Sequence, residues 1–302
     1  MQNYYWGVDL GGTKIECAVM DRETDECILR ERTPTEGDQG YRHVLDNIRN
    51  LIESCAEKVG EYPDIIGFGT PGTIDPQSGV MKNCNSTHLN GQPLDKDLQI
   101  LLDCEVKLAN DANCFALAEA RLGAVQDVDP DAKVVFGVIL GTGVGAGIVV
   151  NGELINGHHG IGGEWGHNTL VHDDGVDCYC GKSGCVETVI AGPSLERFYF
   201  ELTGEKRSLK SIAQGAEEGE GLCRHTLTHL VEHFGQAVSV VINILDPDVI
   251  VIGGGVGNID ALYDYAPAAI KKHIFNPDVA TKLVKPKLGD SAGVFGAAML
   301  VK

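Results

Sequence analysis

Apolar positions along this chain repeat with two periods, and the switches between them mark out the elements. Tyr5-Trp6-Gly7-Val8-Asp9-Leu10 reads as a buried strand. Gly11-Gly12-Thr13 turns it, Lys14 to Met20 alternates as the returning strand, and a third strand lies near Cys27–Arg32. From Tyr41 to Val59 the period becomes helical. Val44, Leu45, Ile48, Leu51, Ile52, Cys55 and Val59 share one face, and Gly60 ends the helix. A strand at Asp64–Gly69 stops at Thr70-Pro71-Gly72. A polar loop follows through Asn83, Asn85 and Asn90. A short helix (Asp95–Asp103), a strand (Glu105–Ala109) and a helix beginning at Asn110-Asp111 complete the first part.

The second part opens with a strand at Lys133–Leu140, then Gly141-Thr142-Gly143-Val144-Gly145-Ala146-Gly147, then a strand at Ile148–Asn151. Gly141-x-Gly143-x-x-Ala146 formally fits the dinucleotide fingerprint, but that fingerprint needs a helix after the glycines. Here a β pattern follows, so the dinucleotide reading is rejected. Strand, glycine turn and strand repeats the arrangement around Asp9 to Lys14, which predicts an internal duplication. Helices are expected at Pro193–Leu202, Ser208–Glu217, Arg224–Leu245, Tyr263–Ile274 and Val294–Leu300. Strands are expected at Val249–Ile252, which runs into Gly253-Gly254-Gly255-Val256, and at Thr281–Lys287.

Composition narrows the classes. The chain has 302 residues, 43% hydrophobic and 22% charged, with a formal net charge of −19. That balance argues against nucleic-acid binding, which needs clustered Lys and Arg. The uncharged run Val134–Gly152 is long enough to raise a membrane span, but its glycines, Thr142 and Asn151 read as two strands around a turn. Met1 to Trp6 has no basic segment of a signal peptide. The cysteines outside one cluster are scattered among apolar neighbours, as expected in the cytoplasm.

That cluster is His167, Cys178, Cys180 and Cys185, a ligand set for tetrahedral Zn²⁺. Gly181 and Gly184 allow the return that brings Cys185 back to the other two. His158, His159 and His172 are competing histidines. His172 is nearer in sequence, but Asp173 and Asp174 crowd it. Three thiols on an unrelated surface loop would be oxidation-prone without metal. Glu164 and Glu187 flank the cluster, so it reads as a polar-ligand site as well as a staple. At the first turn, Asp9 can hold a hydrated Mg²⁺ while Gly11, Gly12, Thr13 and Lys14 approach a phosphate. On the residues alone, Asp111 reads first as a helix cap.

Glu164-x-Gly166-His167 followed by Cys178-x-Cys180-Gly-x-x-Gly-Cys185-x-Glu187 resembles the signature of the ROK family (repressors, open reading frames, sugar kinases). Asp9-Leu-Gly-Gly-Thr-Lys14, Asn110-Asp111-Ala-Asn113, Gly141 to Gly147 and Val251-Ile-Gly-Gly-Gly255 occur in the order ROK kinases have them. The resemblance implies a duplicated α/β fold of the actin/hexokinase (ribonuclease H-like) type, two lobes with a central cleft. Residues 1–110 with 290–302 would form a small N-terminal lobe, and 111–289 a large C-terminal lobe carrying the zinc motif.

It also implies the site. Asp111 would be the catalytic base, and Asn110, Asp111, Glu164, His167, Glu187, Gly72 and Asn85 would bind sugar. His167 would serve zinc with one ring nitrogen and the sugar with the other. Asp9, Gly11–Lys14, Gly141, Thr142, Gly143, Val144, Gly145, Gly254 and Gly255 would bind MgATP. The expected cofactors are ATP, Mg²⁺ and structural Zn²⁺. The expected partners are a small-molecule sugar and ATP, with neither nucleic acid nor membrane, and a homodimer is the assembly to test. Asn83 to Leu98 is similar to bacterial ROK fructokinases with mannokinase activity. The resemblance therefore implies phosphorylation of the 6-hydroxyl of D-fructose, with mannose or glucose as further substrates. The alternative is N-acetyl-D-glucosamine kinase. A sugar-responsive regulator would carry a winged helix before the first strand, which here begins by Tyr5, and a catalytically dead relic would not need Asp9 and Asp111.

Overall fold

A computed structural model describes residues 2–302. In chain order the strands and helices are β1 (Tyr4–Leu10), β2 (Lys14–Asp21), β3 (Cys27–Pro34), α1 (Tyr41–Val59), β4 (Ile65–Thr70), β5 (Thr73–Ile74), β6 (Met81–Lys82), α2 (Leu94–Leu102), β7 (Glu105–Asn110) and α3 (Asp111–Arg121). Then come α4 (Ala124–Val128), β8 (Val134–Leu140), β9 (Val144–Val150), β10 (Glu153–Leu154), α5 (Val186–Ile190), α6 (Gly192–Thr203), α7 (Leu209–Glu217) and α8 (Gly221–Leu245). The last are β11 (Val249–Gly253), α9 (Ala261–Lys271), β12 (Lys282–Val284) and α10 (Ala292–Met299).

These elements form two compact units. The first holds the chain up to Leu122, Leu154–Gly162 and Leu288–Lys302; the second holds Gly123–Glu153 and Gly163–Lys287. The sequence-based boundary at residue 110 falls between β7 and α3. In the structure α3 goes with the first unit, because it packs tightly on α10. A Cβ on Gly296 of α10 would overlap the carbonyl of Cys114 in α3.

The first unit is built on a sheet of order β3-β2-β1-β4-β7. β1 and β2 form an antiparallel hairpin, and β1, β4 and β7 run parallel. One face is covered by α1, whose Val44, Leu45, Ile48, Leu51, Ile52 and Cys55 are buried as the periodicity predicts. On the other face α10 lies against the backbone of β1 and β4. Side chains on Gly7 and Gly67 would overlap backbone atoms of Val294, Ala297 and Ala298. Those two glycines bring α10 down far enough for its first turn to reach the end of β1.

The second unit repeats the plan in a sheet of order β10-β9-β8-β11-β12. β8 and β9 form the hairpin, and β8, β11 and β12 run parallel. The predicted duplication is therefore present in the strand order. Phe136, Val138, Leu140, Trp165, Leu230, Phe234, Val238, Ile250 and Ile252 share the core of this unit. One expectation is corrected here. The glycine turn is only Gly141–Gly143, because Leu140 already pairs with Val144 and β9 begins there. Gly145 and Gly147 sit inside the strand. Among the described residues no helix is long and apolar enough to cross a membrane.

Candidate active site

In the first unit, Asp9 ends β1 beside α10. A Cβ on Gly293 would lie 3.0 Å from Asp9 Oδ2, and one on Gly69 would lie 3.4 Å from Oδ1. Larger residues at either glycine would push this carboxylate away. Burial raises the Asp9 carboxyl to about 6, helped by the negative charges of Asp111 and Glu16 and opposed by Lys14. The adjoining turn is closed by the Gly11 N–H donating to Lys14 O (3.0 Å). Thr35, which the sequence did not single out, pins the turn. Its hydroxyl donates to Gly11 O (2.7 Å) and its N–H to Thr13 O (3.0 Å). Gly12 and Thr13 remain exposed.

The competing roles of Asn110 and Asp111 separate in the structure. Asn110 is the N-cap of α3, and its Oδ1 accepts from the Ala112 N–H at 2.9 Å. Asp111 is the first helical residue, and its Oδ1 shares that same N–H at 2.7 Å. The Asp111 side chain is accessible at its edge, yet the protein packed around it raises its carboxyl above the usual range. Hydrogen bonds from Ala112 and Asn110 pull the other way. Asn110 is thus the N-cap, and Asp111 adds a second acceptor to the same N–H at the strand-to-helix junction.

The polar loop between β4 and α2 spends much of its polarity on holding itself together. Asn90 spends its side chain on Cys84, accepting from its N–H (2.9 Å) and donating to its carbonyl (3.1 Å). Leu89, Leu94 and Leu98 are buried in the first unit's core. Gly72 is buried, and a Cβ there would lie 2.5 Å from Cys84 Sγ and Lys82 O, so it serves the fold-back of the chain. Asn85 is exposed. The loop reaches the glycine turn through Ser86, whose Oγ would lie 3.3 Å from a Cβ on Gly12.

In the second unit, Trp165 anchors the segment that carries Glu164 and His167. Its ring is buried, edge-on to Phe136 and Phe234, and its Nε1 donates to Ala237 O (3.2 Å). Next to it, a side chain on Gly166 would overlap the Val144 carbonyl. The four cluster residues converge. The ligand atoms of His167, Cys178, Cys180 and Cys185 all lie within 4.8 Å of one another. His172 is not among them. Cys178 Sγ is 3.6 Å from His167 Nδ1, and Cys180 Sγ is 3.6 Å from Cys185 Sγ. Gly181 (φ +85°) and Gly184 (φ +66°) supply the left-handed turns that fold Cys185 back.

Tyr179, between two of the cysteines, is a site residue the sequence reading missed. Its hydroxyl lies 3.0 Å from His167 Nε2, the nitrogen expected to face sugar. A sugar hydroxyl bonding there would have to displace the phenol. Burial raises the Tyr179 phenol to about 12, with Glu187 and Glu164 adding to the shift. Both carboxylates therefore lie near the Tyr179–His167 pair. Only its place inside Cys-x-Cys could have flagged it.

Glu187 opens the short helix α5 and turns toward the glycine hairpin. Its Oε2 accepts from the Val144 N–H at 2.9 Å. The turn is closed by the Gly141 N–H donating to Gly143 O (2.9 Å), and Thr142 is exposed at its tip. Gly254 (φ +80°) lies against Leu140, where a Cβ would overlap the Leu140 carbonyl, whereas Gly255 faces open space. Gly255 lines a groove of about 1320 Å³ in this unit, with Leu209, Lys210, Ala213, Asn258 and Ile259. Leu209, Ala213 and Ile259 give it an apolar patch beside the Gly255 backbone, while Lys210, Arg224 and Asp260 make the rest of its lining charged, and α7 was not expected to contribute to it.

A family model described as the ROK family matches residues 5–302. The N-acetyl-D-glucosamine kinase of Vibrio atlanticus is 36% identical over 311 residues, covering 98% of this chain and 99% of the relative. The ROK hexokinase of Thermus thermophilus superposes with a TM-score of 0.85 at 30% identity, covering 98% of this chain and 97% of that one. The ROK family glucokinase of Streptomyces griseus, solved with glucose and AMPPNP, superposes with a TM-score of 0.76 at 26% identity over 98% of each chain. These structures bear out the actin/hexokinase-type fold. They do not bear out D-fructose. That expectation rested on the segment Asn83–Leu98, and the full-length relative is an N-acetyl-D-glucosamine kinase. The physical reason is visible in the loop, where Asn90, Leu89, Leu94 and Leu98 are committed to folding it.

Proposed function

This chain belongs to the ROK family, and we propose that it is an ATP-dependent N-acetyl-D-glucosamine kinase acting on the 6-hydroxyl. The observation that carries the reading is the match to N-acetyl-D-glucosamine kinase along nearly the whole length of both chains. Asp111, at the strand-to-helix junction with a raised carboxyl, supports it as a base.

Asp111 accepts the proton of the sugar hydroxyl as that oxygen attacks the γ-phosphorus of ATP. The bond to the β,γ-bridging oxygen breaks and ADP leaves. The raised carboxyl of Asp111 makes it a stronger base than a solvated aspartate. Asn110 orients Asp111. Glu164, His167 and Glu187 of the second unit hold ring hydroxyls, with Tyr179 giving up its bond to His167. The turns at Gly11–Thr13 and Gly141–Gly143 offer backbone N–H groups to phosphate oxygens. The groove beside Gly255 takes the adenosine. Gly72 and Asn85 act through the shape of their loop.

Asp9 is half-buried and feels the negative charge of Asp111, and a carboxylate raised mainly by burial and then by a neighbouring acid suits a divalent cation. Asp9 would hold hydrated Mg²⁺, which supplies charge neutralisation at the β- and γ-phosphates. The donor set of His167, Cys178, Cys180 and Cys185 fits a closed structural Zn²⁺ site. With all four positions taken by protein, the ion would fix the loop and do no phosphoryl chemistry. ATP supply and ten free cysteines fit the cytoplasm.

The test is ADP release measured across N-acetyl-D-glucosamine, glucose, mannose and fructose. N-acetyl-D-glucosamine is expected to give the highest kcat/KM. A tenfold preference for any of the others would overturn the substrate assignment.

A further inference from the structure

One side chain in the second unit ties a carboxylate of the sugar side to the turn of the nucleotide side. Glu187 Oε2 accepts from the N–H of Val144, the residue directly after the turn (2.9 Å). A Cβ on Gly143 would come within 2.6 Å of that same oxygen, so the carboxylate sits directly against the turn. The other end of the turn is held too. The Gly192 N–H donates to Gly141 O at 2.9 Å, and the Ser194 hydroxyl donates to Glu187 O at 2.8 Å. Thus Glu187 of α5 and Gly192, the first residue of α6, hold the two sides of Gly141–Val144.

The grip has little slack. Val186 and Ile190 of α5 are buried. The Val186 N–H donates to Asn168 O (2.9 Å), and Thr169 pairs with Cys185, so α5 follows the segment that carries His167. A carboxylate offers about four accepting sites. One bond to Val144 leaves capacity for a sugar hydroxyl on the same group.

We propose that Glu187 is a positioning residue that couples the two substrates. It holds the Gly141–Val144 turn in the shape that receives the triphosphate, and a sugar bound to the same carboxylate strengthens that hold. Ordering of the turn is then shared between ligands, so each tightens the other by the same factor. This rests on the kinase reading above.

The test is calorimetric titration of the full chain with a non-hydrolysable ATP analogue and Mg²⁺, with and without saturating N-acetyl-D-glucosamine. In the unmodified protein the sugar should tighten nucleotide binding about fivefold or more. Glu187→Ala should weaken sugar-free nucleotide binding by a similar factor, although Glu187 is not assigned to any phosphate. Glu187→Gln keeps a carbonyl oxygen for the Val144 N–H, so it should restore sugar-free nucleotide affinity while sugar affinity stays low. Zinc content and melting temperature check that the fold survives. If Glu187→Ala does not fold, Glu187→Gln carries the test through its split between the two affinities. The proposal is overturned if the unmodified protein shows no mutual tightening. It is equally overturned if Glu187→Ala binds nucleotide as the unmodified protein does, or if Glu187→Gln loses both affinities alike. Should N-acetyl-D-glucosamine give no heat, the substrate reading falls, and the same titrations with the sugar that does bind still decide the coupling.

Discussion

Nδ1 of His167 and Sγ of Cys178 stand 3.6 Å apart, the length of one edge of a zinc-centred tetrahedron. Bonds of about 2.3 Å to sulfur and 2.0–2.1 Å to nitrogen give edges of about 3.5–3.8 Å. The Cys180–Cys185 pair, also at 3.6 Å, is a second such edge. Purified protein should therefore carry one zinc per chain by elemental analysis. Cys180→Ser should lower the melting temperature, by about 2–4 °C for each kcal/mol lost, and raise the sugar KM. Fully active protein without zinc would return the three cysteines to an ordinary loop.

Asp111→Asn should keep the fold and the sugar affinity while turnover falls about 10²–10⁴-fold, the usual size of a general-base effect. Steady-state kinetics with a parallel sugar titration separates the two. Turnover within a few-fold of the unmodified enzyme would leave Asp111 as a first-turn helix residue and nothing more.

Asp9 makes a prediction with a definite sign in pH. Its folded carboxyl is raised from 3.8 to about 6. The folded state therefore disfavours the ionised form, and the cost grows as pH rises from about 4 through 6. In metal-free protein, Asp9→Asn should raise the melting temperature at pH 7–8 and lose that advantage below about pH 4. The same variant should need far more Mg²⁺ for turnover while its sugar affinity stays unchanged. A variant that is no more stable at pH 8 than at pH 4, relative to the parent, would refute the raised carboxyl of Asp9.

Gly67→Ala tests how the first unit places Asp9. The new methyl would overlap the Ala297 carbonyl, a backbone atom that cannot rotate away. Overpacking of this kind costs about 1–3 kcal/mol, occasionally more. Denaturant melts should show it, and because α10 also flanks Asp9, the Mg²⁺ requirement should rise together with the loss of stability. Unchanged stability would mean that α10 is free to move off the sheet.

Much of this was legible in the sequence because it is local. The helical period of Val44 to Cys55 fixes a buried face whatever surrounds it, and two strand–glycine–strand patterns announce the duplication. Four side chains able to hold a metal lie close along the chain, so their convergence needed two left-handed glycines and no distant partner. What the sequence left open depended on contacts between residues far apart. Asn110 and Asp111 are both good caps, and only the backbone geometry at the start of α3 assigns the cap to Asn110. Whether an asparagine-rich loop reads a sugar or holds itself together turns on where Asn90 points, and it points at Cys84. The same limit applies to Glu187. Its spacing from Cys185 marks it as part of the motif, but its bond to Val144 spans 43 positions of chain. Hydrogen bonds and close backbone approaches of that kind depend on packing between elements, which periodicity and spacing do not encode.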